Sequence, residues 1–349
     1  MKIIHCADLH IGSKMDGRFS PEQASQRRQE LRLAFANLAS YANKNGIAHI
    51  LIAGDAFDSD HPSQADLDYF FGTIKSYPQV QFFYLRGNHD LDAFPPEDEL
   101  PNLHTFSHGK WTYYPLSDKT VLAGIEIDEG DKDGYPASLS LPTGKTNIVM
   151  LHGQIGKDIE LTKLTHKNIV YLALGHIHSF EEFDLPGGGK AAYAGCLEPR
   201  GFDESGEKGF ILYDDETREA SFVPFAKRHI HIETVDISEC GNTFEIAGKI
   251  APLLQKREDI YRIELIGKRQ PDLILSIPNI LTSVSSKCFF LDIKDKSQAT
   301  LQQPLQEQDN ALLQDVFARI EKDGELDENE KADVLSTIQS ALAGEEVAL

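Results

Sequence analysis

Residues 49–58 read HILIAGDAFD. Ile50, Leu51 and Ile52 are a short apolar run of the kind a parallel strand buries on both faces. Ala53 and Gly54 let the backbone turn tightly with little side-chain bulk. Asp55 then stands where the strand ends, and Asp58 follows three residues later. A carboxylate just past a buried strand is where an open α/β sheet places its chemistry. Alone, the stretch is equally well read as a strand whose last Asp caps the next turn. The rest of the chain decides.

Upstream, residues 2–7 read as a first strand, followed at once by Asp8, His10 and Gly12. Between the two strands, residues 21–45 have helical apolar spacing at Leu31, Phe35, Leu38 and Ala42, with Ser20 as N-cap, Pro21 at the first position and Gly46 as the stop. The start is therefore a right-handed βαβ unit. Downstream, a helix over 63–76 precedes a strand over 80–85, which delivers Arg86-Gly87-Asn88-His89-Asp90. Asp90 is placed to hydrogen-bond one nitrogen of His89 and fix its tautomer. Residues 91–110 read as surface loop, and 128–134 as a solvated acidic loop. Strands over 147–151 and 170–174 end in His152 and in Gly175-His176-Ile177-His178. Two histidines at i and i+2 in extended backbone share one face.

Five strand ends thus carry oxygen or nitrogen donors: Asp8 and His10, Asp55, Asn88 and His89, His152, then His176 and His178. Each alone reads as a polar turn or a satisfied core histidine. One site explains all five together. Carboxylate, amide and imidazole without thiolate suit manganese, iron(II) or zinc, and the set is too large for one ion. Two divalent ions about 3.5–4 Å apart, bridged by one carboxylate, activate water and neutralise charge at phosphorus in phosphoester hydrolysis. His89 is then placed to protonate the leaving oxygen, with Asp90 behind it.

Composition sets the context. The 349 residues predict more than one domain. A formal net charge of −21 argues against non-specific coating of nucleic acid or anionic membrane. The four cysteines are far apart, without a CxxC pair, which points to a reduced, cytoplasmic protein. The start reads as strand and turn rather than signal peptide, and apolar runs fall short of the ~20 residues a membrane helix needs.

In this order, DxH, GDxxD, GNHD, LHG and GHxH resemble the calcineurin-like metallophosphoesterases. Within them, ADLHIG, GDAFDSD, LRGNHD and YAGCLEPRGFDESGEKGF are similar to the SbcD-type DNA repair exonucleases. The resemblance implies an α/β (α+β) fold, a two-sheet β-sandwich flanked by helices, and a two-manganese site. One ion would take Asp8, His10, Asp55 and His178, and the other Asp55, Asn88, His152 and His176. His89 would be the catalytic histidine. It also implies 3′-to-5′ exonuclease and endonuclease action on DNA, an SbcC-type coiled-coil ATPase as partner, and a homodimer. Asp58 stands where archaeal and eukaryotic relatives carry His. A YhaO-like side branch with a different ATPase partner fits the same motifs.

The expected division is a nuclease domain over 1–228, a small α/β capping domain over 229–293, and a linker with two amphipathic helices over 294–349. Leu305, Leu312, Leu313, Val316, Phe317 and Ile320 form one apolar stripe; Val334, Leu335, Ile338, Ala341 and Leu342 form the other. The helices read equally as a self-packed hairpin or as a docking surface for a partner's helix, which the resemblance implies is the coiled coil of the ATPase. Three other functions compete. A protein phosphatase would carry Arg where Ser59 follows Asp58. A small-molecule phosphodiesterase would use the same metals in a closed pocket. A DNA-end scaffold would depend on the cap and C-terminal helices rather than on His89.

Overall fold

The computed structural model describes residues 1–15, 19–59, 61–90, 100–127, 134–270, 272–299, 311–324, 326, 331, 334, 335, 337 and 338. The first half runs β1 (Lys2–Cys6), α1 (Pro21–Lys44), β2 (His49–Ala53), α2 (Gln64–Ser76), β3 (Gln81–Leu85), β4 (Leu103–Thr105), β5 (Thr112–Pro115) and β6 (Thr120–Gly124). Then come α3 (Tyr135–Ser138), β7 (Thr146–His152), α4 (Leu161–Leu164), β8 (Tyr171–Gly175), β9 (Glu181–Asp184), β10 (Lys190–Tyr193), β11 (Gly209–Asp214) and β12 (Glu219–Pro224). The remainder holds β13 (Ile230–Asp236), α5 (Thr243–Ile250), β14 (Ile260–Ile266), β15 (Lys268–Arg269), α6 (Ile277–Val284), β16 (Phe290–Asp295), β17 (Gln298–Ala299) and α7 (Ala311–Lys322).

Two six-stranded sheets face each other, ordered β12-β11-β1-β2-β3-β4 and β5-β6-β7-β8-β10-β9. Strands β1 to β4 are parallel, as are β6, β7, β8 and β10. The apolar run at 50–53 is explained by its two buried faces. Ile50 and Ile52 pack toward Phe35, Leu38 and Phe70 of the helices, while Leu51 and Ala53 pack between the sheets with Ile148, Met150 and Ala173. Phe35 and Phe70 stack at 4.7 Å, locking α1 to α2. Tyr135, Leu139 and Leu164 cover the outer face of the second sheet. The two-sheet sandwich flanked by helices is as expected.

The start of α1 follows from its cap. Ser20 accepts the Gln23 N–H, and the Gln23 side chain accepts the Ser20 N–H in return. The stretch read as surface loop contains β4, which pairs with β3 at the sheet edge. Asn102 anchors it by donating to the carbonyls of Ile74, Tyr77 and Val80. Residues 91–99, and 128–133 of the acidic loop, lie outside the described residues.

Past residue 228, β13, β14 and β16 form a parallel three-stranded sheet with its own core against α5 and α6. Helix α5 stops at Ile250, because Pro252 supplies no N–H to continue it. Between β14 and β16 the chain also forms α6, eight residues that bury Ile280 and Val284. A buried ion cluster joins this part to the sandwich. Glu30 of α1 accepts from Arg228 (2.6 and 2.8 Å) and Lys227 (2.8 Å) and pairs with Arg27. Arg27 also donates to Glu198 at 2.7 Å. Of the second C-terminal stripe, Val334, Leu335 and Ile338 are helical, while Ala341 and Leu342 lie outside the described residues.

Candidate metal centre

The expected donors come from both sheets. Strands β1, β2 and β3 of the first sheet lead into Asp8/His10, Asp55 and Asn88; β7 and β8 of the second carry His152 and lead into His176/His178. The loops after β1 and β2 are laced side by side. Asp8 N–H donates to Gly54 O at 3.0 Å, and His10 N–H to Asp55 O at 3.0 Å. Asp8 (φ 51°), His10 (φ 46°), Asp55 (φ 51°) and His176 (φ 100°) all adopt the left-handed region, which side-chain-bearing residues avoid. Such strain persists where the surroundings over-determine it, typically at functional sites.

Gly54 is required twice. Its φ is +94°, and a Cβ there would stand 2.0 Å from His152 Nδ1. Only a glycine lets that imidazole lie against the β2 turn, where its Nδ1 is 2.9 Å from Ala53 O. A Cβ at Gly87 would meet Asp55 Oδ1 at 2.1 Å.

The side chains converge. Asp8, His10 and His178 offer donor atoms within 4.8 Å of one another, and so do Asp8, Asp55 and His152. Asp55 Oδ2 lies 3.3 Å from His152 Nε2 and 4.0 Å from His10 Nε2, between the two halves. Asn88 Oδ1 is 3.1 Å from His152 Nε2 and 3.2 Å from His176 Nδ1. His10 Nε2 and His178 Nε2 face each other at 3.2 Å. Asp8 accepts the His176 N–H with both oxygens, at 3.0 and 3.1 Å, and Asp55 Oδ1 accepts the His89 N–H at 3.0 Å.

Electrostatics are tense. Burial pushes the Asp8 carboxyl up. Burial would do the same to Asp55, but His152 beside it holds it well below the usual carboxylate range. Burial opposes protonation of His152, yet Asp55 and Asp8 lift it to about 9. His176 is lowered, first by burial and then by the neighbouring His152. Two buried carboxylates and two imidazole nitrogens meeting head-on call for positive charge among them. Cys196 adds no thiolate: burial raises it well above its ordinary value. The donor set therefore fits two divalent cations, which when bound would supply water activation and charge neutralisation at a phosphate.

His89 is exposed at the rim, its ring 5.5 Å from that of His10. The expected contact of Asp90 with His89 is corrected. Asp90 is fully buried and points under the turn, accepting from Tyr84 Oη (2.6 Å), Ala56 N–H (2.8 Å) and Gly87 N–H (2.5 Å). Burial, then Asp55, pushes its carboxyl up to about 6. It secures the turn that presents Asn88 and His89.

A group from the motif YAGCLEPRGFDESGEKGF adjoins His178. Glu204 Oε1 lies 2.7 Å from His178 Nδ1 and accepts from Arg200, which also pairs with Asp58. Lys208, buried, donates to His178 O at 2.7 Å. The available signal was five charges, Arg200, Asp203, Glu204, Glu207 and Lys208, leading into the buried strand β11.

A family model described as calcineurin-like phosphoesterase matches residues 1–180. The chain belongs to that family. Within it, this phosphoesterase is 25% identical over 305 residues to the DNA double-strand break repair protein Mre11 of Sulfurisphaera tokodaii, covering 78% of this chain and 76% of the relative. It is 25% identical over 280 residues to the SbcD component of the nuclease SbcCD of Rhodobacter capsulatus, covering 61% of this chain and 66% of that one. A crystal structure of a dimetal phosphatase from Danio rerio aligns with TM-score 0.45 at 10% identity, over 61% of this chain and 91% of the other. The resemblance read from the motifs is borne out at the level of the family and of Mre11 and SbcD relatives. Among the described residues, no helix is long and apolar enough to cross a membrane.

Proposed function

We propose that this phosphoesterase is a DNA repair nuclease: a manganese-dependent 3′-to-5′ exonuclease and endonuclease that hydrolyses phosphodiester bonds. In this reading Asp8, His10, Asp55 and His178 hold one cation, and Asp55, Asn88, His152 and His176 the other. The observation that carries it is the convergence of these side chains beside an exposed Asn88 and His89, where a phosphate on a long strand can approach. The names borne by the Mre11 and SbcD relatives favour DNA as the polymer. His89, its backbone fixed by Asp55, donates the proton that the leaving oxygen takes as the P–O bond breaks, worth about 10²–10⁴-fold.

The same reading assigns residues 1–228 to catalysis, 229–293 to a cap, and 294–349 to docking on an SbcC-type coiled-coil ATPase, with a second copy of the chain and a cytoplasmic setting. The test is hydrolysis of end-labelled linear double-stranded DNA with manganese, against small chromogenic phosphodiesters and phosphomonoesters, with His89→Asn as control. Manganese-dependent release of nucleotides from the ends, lost in the variant, is expected. Turnover of the small diester with DNA left intact would replace the nuclease with a small-molecule phosphodiesterase.

A further inference from the structure

Five side chains close a ring at one side of the cluster. His178 Nδ1 is 2.7 Å from Glu204 Oε1. Glu204 accepts from the Arg200 backbone N–H at 2.6 Å, from Nε at 3.0 Å and from Nη2 at 2.7 Å. Arg200 Nη1 donates to Asp58 Oδ1. Asp58 Oδ1 is 3.0 Å from His10 Nδ1, though off the line of a good hydrogen bond. His10 and His178 then meet through Nε2 at 3.2 Å, closing the ring.

We propose that Asp58, Arg200 and Glu204 are positioning residues that prebuild one cation position, the one faced by Asp8, His10 and His178, and so make the two positions unequal in affinity. This rests on the two-cation reading above. A carboxylate at Nδ1 keeps the proton there and leaves the Nε2 lone pair free for a cation. His178 has such a carboxylate in Glu204, with Arg200 Nη2 also 3.2 Å from its Nδ1; His10 has Asp58 beside its Nδ1 without an aligned hydrogen bond, and the two Nε2 atoms lie 3.2 Å apart. One guanidinium ties the two carboxylates together. Its planar fork bonds Glu204 along one edge and Asp58 from the other, which the single ammonium of a lysine does not reproduce. Glu204 is only 2% exposed, so this is a fixed partner rather than a surface pair. Lys208 pins the His178 carbonyl at 2.7 Å as well.

The other half is held differently. His152 Nδ1 rests on the Ala53 carbonyl at 2.9 Å, and His176 Nδ1 on the amide oxygen of Asn88 at 3.2 Å. Asn88 is itself a candidate ligand and is exposed. Neither imidazole of this half has a carboxylate at the Nδ1 named, whereas His178 has Glu204 there.

The experiment is calorimetric titration of manganese into the metal-free full chain, with melting of each metal-free variant recorded. Wild type is expected to bind two ions with distinct affinities. Glu204→Gln, Asp58→Asn and Arg200→Lys should each weaken the same ion about 10–100-fold, the range for partners of metal-ligating histidines. The other ion should stay within about threefold. If Glu204→Gln does not fold, Asp58→Asn decides, since Asp58 lies at the partly exposed edge of the ring. Unchanged affinity for both ions, or equal weakening of both, overturns the proposal. Wild type binding fewer than two ions overturns instead the two-cation reading beneath it.

Discussion

The Tyr84 hydroxyl donates a 2.6 Å hydrogen bond to Asp90 Oδ2, beneath the turn that presents Asn88 and His89. Removing it tests whether Asp90 serves the turn or the reaction. Tyr84→Phe leaves Asp90 its two backbone donors and should cost about 0.5–1.5 kcal/mol, with cation binding intact. Asp90→Ala strands the Tyr84 hydroxyl and two buried N–H groups, and should cost several times more. Thermal melting measures both. An Asp90→Ala protein as stable as wild type would contradict the role given to the carboxylate.

At Gly54 the backbone conformation and the approach of His152 reinforce each other. Gly54→Ala should destabilise by more than about 1 kcal/mol, the scale for alanine forced to positive φ, and displace the imidazole besides. Manganese affinity should fall together with the melting temperature. Normal affinity in the variant would mean that His152 has no need of its present position.

Asp55 and His89 separate binding from chemistry. Asp55 Oδ2 stands between His10 and His152, so Asp55→Asn should weaken both ions. His89→Asn should keep both ions and lose turnover by at least about 10²-fold. Cation stoichiometry by calorimetry, beside turnover with manganese, distinguishes them. Metal loss in His89→Asn would make His89 a ligand instead.

Acid should loosen the junction between the sandwich and the β13–β14–β16 sheet. Burial alone would raise the Glu30 carboxyl, but Arg228, Lys227 and Arg27 hold it at about 2, below its ordinary 4.5. A carboxyl depressed by folding contributes stability above its unfolded pKa and loses it as pH falls toward the folded value. The contribution is therefore full above about pH 4.5 and drains away toward pH 2. Denaturant unfolding at stepped pH should show a steeper decline in wild type than in Glu30→Gln across that window. Glu30→Gln should also be less stable at neutral pH, because it leaves buried cations underpaired. Parallel curves for the two proteins would refute this.

Much of the site was legible because its information is local. A strand must be apolar to be buried, and each donor follows its own strand within a few residues. Asp8, Asp55, Asn88, His152 and His176 are therefore visible as interruptions of apolar runs. That the strands belong to two facing sheets is not local, and neither is the ring around Arg200, which joins residues 142 apart. Asp58 was visible as a residue but not as a partner of His10. The direction of the Asp90 side chain was misjudged because adjacency to His89 in sequence does not place a carboxylate beside an imidazole in a turn. Strand β4 is three residues long, too brief for alternation to mark.

His176 holds a φ of 100° while its backbone N–H serves Asp8 and its ring faces Asn88. Glycine would satisfy that backbone and that N–H without the steric cost, which for other residues in unfavoured regions is of order 1 kcal/mol or more. With His176 as a cation ligand, as proposed, heat resistance and metal chemistry pull this position in opposite directions. Under that proposal, a population of variants selected only for surviving heat would drift toward glycine here and grow sturdier as it forgot its reaction, and any effort to toughen the protein would hold position 176 fixed.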